Sequence, residues 1–177
     1  ITEWGQYGES VIGKYLLAVR ESKDNGDSWS KNQFILPEGS DPNLISKTTE
    51  ENDMVELPDG RILVVVRCDG APLVQTYLTR RPDGTYAATP PTVLPFPQAG
   101  LPALARCSDG AIWYYGIDGH WYTVDEGKTW KQLPERFRSY YGKMIDAGPH
   151  DILCVSQKNI GDSPYPWYRD ATVEALR

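Results

Sequence analysis

Apolar residues along this chain come in short runs separated by polar, glycine-bearing turns, and no long segment holds a helical spacing. Tyr15-Leu16-Leu17-Ala18-Val19-Arg20 predicts one strand and residues 30–36 a second, together the outer hairpin of a sheet. Met54-Val55-Glu56-Leu57 leads through Pro58-Asp59-Gly60 into Ile62-Leu63-Val64-Val65-Val66. That second run is apolar at every position, so it is expected to lie centrally in a sheet with both faces covered. Further strands are predicted over 73–79, 92–94, 101–106 and 112–115, at Trp121-Tyr122, and over 143–146, 152–155 and 171–176. A stretch rich in Pro, Ser, Asn and Thr, about 37–49, links the first hairpin to the second. Many short β-type runs punctuated by Asp-Gly turns define an all-β chain.

One turn recurs. Ser22-Lys23-Asp24-Asn25-Gly26-Asp27-Ser28-Trp29 and Thr123-Val124-Asp125-Glu126-Gly127-Lys128-Thr129-Trp130 share the form Ser/Thr-x-Asp-x-Gly-x-Ser/Thr-Trp, and Arg81-Pro82-Asp83-Gly84-Thr85-Tyr86 is a degraded version. The hydroxyl and carboxylate are expected to bond backbone groups inside a tight turn, Gly to take φ > 0, and Trp to wedge between neighbouring sheets. The hairpins starting at Val55, Ala105 and Ile145 align with one another at a period of roughly 45 residues, as four-stranded blades would.

These turns resemble the Asp-box (BNR) repeat of sialidase-type β-propellers. The resemblance implies an all-β propeller with about three to four four-stranded blades, over approximately 1–40, 51–97, 101–135 and 141–177 of one domain. Propellers of that family have about six blades. The chain is therefore expected to be part of a longer protein, with self-association or a short form with blunted edges as alternatives. In the family these turns sit on the face away from the substrate, so they mark the fold rather than an activity.

Composition narrows the function classes. The chain has 177 residues and a net charge of −6, without a Lys/Arg run that would favour nucleic acid or an anionic membrane. Its longest aliphatic run, residues 62–66, falls far short of the ~20 residues a membrane span needs. Cys68, Cys107 and Cys154 are widely spaced and the only histidines are His120 and His150, so the thiols are expected to be buried and free rather than a disulfide frame or zinc site. No cofactor or metal is implied. The chain opens on Ile1 without a signal-peptide pattern, so an upstream segment is expected to have been removed. Exported relatives point to an extracellular or periplasmic setting.

The segment from Glu51 to Arg67 resembles the sialidase stretch that carries an acidic residue at the start of an inner strand and an arginine at the end of the next. The resemblance implies that Glu51 activates a tyrosine nucleophile and that Arg67 belongs to a clamp on the substrate carboxylate, for which a guanidinium fork is suited. A neutral tyrosine avoids the repulsion a carboxylate nucleophile would meet beside a sugar acid. Ser139-Tyr140-Tyr141-Gly142-Lys143 occupies the place of the family's tyrosine, and Tyr141 fits it best, with Tyr140 adjacent. Asp53 and Arg138 join the expected substrate-binding set, with Arg106 and Arg136 as further candidates by proximity. No segment ahead of Glu51 resembles the family's Arg-Ile-Pro motif or its acidic acid/base residue. Trp113-Tyr114-Tyr115, Trp121-Tyr122 and Trp167-Tyr168 are expected mainly to fill the space between sheets. Two readings follow: an exo-acting glycoside hydrolase, or a non-catalytic glycan- or protein-binding propeller. A third is an interaction scaffold closed as a homodimer.

Overall fold

The computed structural model describes residues 2–5, 16–35, 49–68, 72–96, 101–116, 119–133, 139–148, 151–158 and 171–176. Among them every regular element is a strand and every pairing is antiparallel. In chain order the strands fall into four sheets. The first contains β1 (Thr2–Gly5), β2 (Leu16–Val19) and β3 (Gln33–Ile35) in that order. The second runs β4 (Thr49–Glu56), β5 (Ile62–Cys68), β6 (Val74–Arg80), β7 (Tyr86–Ala88), with β8 (Thr92–Val93) also paired to β6. The third has β9 (Ala103–Arg106), β10 (Ile112–Gly116), β11 (Gly119–Thr123) and β12 (Lys131–Gln132), in the order β12-β11-β10-β9. The fourth is β13 (Ser139–Gly148), β14 (Asp151–Lys158) and β15 (Ala171–Leu176). The chain divides into two compact units, Ile1–Phe96 and Pro97–Arg177.

In the first unit the unbroken apolar run becomes β5, internal to its sheet as its sequence requires. Leu63 and Val65 on one face, and Val64 on the other, have no exposed surface, and each such side chain contributes about 1.5–3 kcal/mol. Val64, Val66, Val74, Leu78 and Tyr86 of this sheet cluster with Val19 and Ile35 of the first, so two apolar sheet faces share one core. Gln33 stitches their edges together. Its side-chain amide donates to the Tyr86 carbonyl at 2.8 Å, and its carbonyl accepts from the Tyr86 N–H at 2.8 Å. A side chain thereby takes the place of a strand neighbour for β7.

The second unit repeats the arrangement with aromatic filling. Trp113 and Tyr115 of β10 cluster with Ala103, Ala105 and Cys107 below them and with Met144, Ile152 and Cys154 of the fourth sheet. Tyr114 points the other way and is equally buried. Cys107 and Cys154 are buried and in no disulfide; nothing is described of the Cys68 side chain. Trp113 stacks on Tyr122 at 5.6 Å, and His120 lies fully buried beside Tyr115 at 4.6 Å, so these aromatics serve packing, as expected of them. Trp167, Tyr168 and His150 lie outside the described residues.

The two recurrent turns are built alike. In the first, the Ser22 hydroxyl donates to Asp24 at 2.8 Å and accepts the Gly26 N–H at 2.7 Å, while Asp24 accepts the Ser28 N–H and hydroxyl at 2.9 and 2.5 Å. Thr123, Asp125, Gly127 and Thr129 repeat that set at 2.7, 3.0, 2.8 and 2.6 Å. Gly26 (101°) and Gly127 (89°) take positive φ as expected, and the preceding Asn25 (58°) and Glu126 (62°) share it. Two consecutive left-handed residues bridged by the Asp27 and Lys128 N–H groups give the handedness of hairpin turns. The expectation for Trp is corrected. Trp130 sets its edge against Tyr114 at 6.5 Å, but Trp29 is 37% exposed and carries the Arg20 guanidinium over its ring. Residues 81–86 form a simple turn between β6 and β7, where Asp83 caps the Thr85 N–H and Tyr86 belongs to the strand.

Candidate functional site

The β4–β5 hairpin turns tightly at its far end, with Leu57 bonded to Arg61 and Gly60 to Leu57. From there the two strands run in regular register through Glu56↔Ile62, Val55↔Leu63, Asp53↔Val65 and Asn52↔Val66. The next pair is Thr49↔Cys68, so β4 advances three residues while β5 advances two. The extra residue is a β-bulge in which Glu50 and Glu51 face Arg67, and bulges re-aim side chains at sheet ends.

At that bulge Arg67 Nη1 donates to Glu51 Oε2 at 2.7 Å. The side chains are 22% and 15% exposed, respectively, so this is a half-buried ion pair rather than a solvated one. Asp53 lies one rung further along the same strand face, half-buried, with its carboxylate accepting the Met54 N–H at 3.0 Å. Two carboxylates and a guanidinium thus share the open end of one hairpin. Such a set offers a planar cationic fork for an anion and an acceptor beside it for a proton.

β13 carries a matching irregularity. Between Tyr140↔Gln157 and Lys143↔Val155 it again advances three residues against two, which places Tyr141 and Gly142 in the bulge. By register Tyr141 corresponds to Glu50 and Gly142 to Glu51, so Tyr141 stands one residue from the place Glu51 holds in its own hairpin. It belongs to the second unit, whereas Glu51, Asp53 and Arg67 belong to the first. Arg136 and Arg138 lie outside the described residues, and Arg106 ends β9 as an exposed side chain. Among the described residues no group of three His, Cys, Asp or Glu side chains gathers as metal ligands, and no helix is long and apolar enough to cross a membrane.

Sequence spacing did not point to a second polar cluster in the first unit. Arg80 donates to Glu21 through Nε at 2.9 Å and Nη2 at 3.3 Å, and the Tyr86 hydroxyl also donates to Glu21. The Arg80 and Tyr86 hydrogen bonds hold Glu21 below the usual carboxylate range. Burial, then the bond to Glu21, pushes the Tyr86 phenol up to about 12. These residues come from strands far apart in sequence, and only the turn-like spelling of 81–86 marked the region. A cleft of about 580 Å³ opens beside this cluster, bounded in part by Glu56 and Ile62. Those residues stand at the turn end of the β4–β5 hairpin, away from Glu51 and Arg67.

No protein-family model and no curated protein matches the sequence. Solved structures do. The chain is similar to a mutant of NanB sialidase from Streptococcus pneumoniae, with a TM-score of 0.62 and 14% identity over 92% of this chain and 26% of that one. A structure of NanB with Optactamide gives a TM-score of 0.60 and 15% identity, over 92% of this chain and 26% of that one. The fold is therefore sialidase-like, all-β with antiparallel sheets. The chain spans about a quarter of the length of these relatives.

Proposed function

We propose that the chain is part of a sialidase-like, exo-acting glycoside hydrolase built as a β-propeller. Its four sheets are blades and its two Trp-ended turns are Asp-boxes. In this reading Glu51 is the base that takes the proton of the nucleophile Tyr141, Arg67 and Arg138 grip the substrate carboxylate, and Asp53 lines the site as an acceptor for substrate hydroxyls. The observation that carries it is the half-buried Glu51–Arg67 pair at the bulged end of an inner hairpin in a sialidase-like fold. The matching bulge at Tyr141 supports the choice of that tyrosine.

Hydrolysis of a fluorogenic sialoside panel tests it, with Glu51→Gln and Tyr141→Phe measured beside the native protein. Turnover that falls at least a hundredfold in both variants is expected, in line with the loss of a nucleophile or its base. Turnover unchanged in Tyr141→Phe sinks the assignment of that residue. Sugar binding without turnover by the native protein leaves the second reading, a non-catalytic glycan-binding propeller. Molar mass in solution tests self-association.

A further inference from the structure

The two Trp-ended turns share one set of hydrogen bonds but use their tryptophans differently. Trp130 is spent on packing against Tyr114, whereas Trp29 is held at the surface by its indole N–H, which donates to the Gly26 carbonyl at 3.1 Å. Arg20 lies over one face of the ring at 5.2 Å, so the exposed remainder of this 37% exposed, orientationally fixed indole is the platform, and the cleft of about 580 Å³ opens beside it. Small-molecule sites commonly have volumes of about 300–1,000 Å³.

The lining alternates in character. Trp29, Met54 and Ile62 supply apolar surface, Lys23 and Asn25 supply donors, and Glu56 supplies an exposed carboxylate. The charged lining residues are Glu21, Lys23 and Glu56, and Glu21 is already engaged by Arg80, so the lining offers no cluster of one sign to hold a strongly charged ligand. A wholly apolar ligand would strip water from the ammonium and carboxylate without replacing it. A pyranose ring meets both demands, with a C–H face for the indole and hydroxyls at its edge for the polar groups. The wall is preorganised, because Glu21 is braced by Arg80 and by the hydroxyl of Tyr86 before any ligand arrives.

We infer that this cleft is a binding subsite for a neutral pyranoside, distinct from the Glu51–Arg67 end of the same hairpin. Glu56 lies five positions beyond Glu51 along β4, about 16 Å of extended strand. The subsite does not depend on the hydrolase reading. It would persist in a protein that hydrolyses nothing.

Saturation-transfer difference NMR on the full chain, with lactose and methyl β-N-acetylglucosaminide as probes and sorbitol as control, tests it. Transfer to the ring protons of at least one sugar, and none to sorbitol, is expected. Glu51→Gln should leave the signal unchanged. Trp29→Ala and Glu56→Arg should each cut it at least fivefold while the far-UV circular dichroism stays native. Glu56 is an exposed strand-end side chain, so Glu56→Arg decides the matter if Trp29→Ala fails to fold. No transfer to either sugar, or a signal that survives Glu56→Arg, overturns the inference. So does a signal lost in Glu51→Gln and kept in Glu56→Arg, which would put the sugar at the other end of the hairpin.

Discussion

Removing the Glu51–Arg67 pair one partner at a time should reveal a coupling that a surface pair would not have. At the 2.7 Å separation the charge centres lie about 4 Å apart, and at an effective dielectric of about 20 that is about 4 kcal/mol of attraction. Desolvation and the ordering of two long side chains take back roughly half. A charge-assisted hydrogen bond nets about 1.5–3 kcal/mol, and exposures of 22% and 15% place this one toward the lower part of that range. Glu51→Gln should therefore cost about 1–2 kcal/mol. Arg67→Met should cost about 2 kcal/mol, since it leaves a half-buried carboxylate without its cation. The double variant should cost about 1.5 kcal/mol less than the sum of the two. Urea unfolding followed by tryptophan fluorescence, at 0.05 and 0.5 M NaCl, reads each term from the midpoint and slope. Because the pair is shielded, the coupling should survive the higher salt largely intact. A coupling below about 0.5 kcal/mol, or one abolished by salt, would show that the bulge end is solvated and refute the reasoning.

Three further outcomes follow from the geometry. Burial alone would raise the Asp125 carboxyl, but hydrogen bonds from Thr123 and Thr129 bring it down to about 2 from the ordinary 3.8. Its contribution to stability is thus complete above about pH 4 and lost as pH falls toward 2. Asp125→Asn should be about 1–2 kcal/mol less stable at pH 6, with the gap narrowing below pH 4 and most of it closed by about pH 2, as thermal melts across that range will show. Gly116→Ala should cost about 1–3 kcal/mol, because an added Cβ would lie 2.9 Å from the buried Tyr114 ring; an unchanged melting temperature would mean the ring moves aside. Gln33→Ala should cost about 1–3 kcal/mol by stripping the Tyr86 N–H of its partner and leaving its carbonyl only the 3.4 Å bond from Arg81, with faster exchange of the Tyr86 amide proton as the local readout.

The sequence was most legible where burial acts from two sides. Ile62 to Val66 reads as an inner strand because the apolar run is short, rich in β-branched residues and preceded by an Asp-Gly turn, and Leu63, Val64 and Val65 are wholly enclosed. The Ser/Thr-x-Asp-x-Gly turns were legible because their bonds are local. Short edge strands such as β1 and β12 were not, since a few residues carry no periodicity and pair only because a neighbour presents a free edge. β13 was read as beginning at Lys143 although it begins at Ser139, because the bulge at Tyr141 breaks the alternation on which that reading depends. In the candidate site, Glu51 and Arg67 were singled out by the resemblance, and the hairpin that joins them brings their side chains together. The exposure of Trp29 did not, because two turns of the same spelling face different surroundings.

The paired bulges have a consequence for how these hairpins tolerate change. One additional residue moves everything ahead of it by half a pleat, so Thr49 and Tyr140 stand out of phase with the ladder that continues through Met54 and Met144. A substitution at the lip is thereby uncoupled from the apolar rungs beneath. Each hairpin is a two-part device, with a stem whose register is set by its apolar rungs and a tip whose side chains can change without shifting that register.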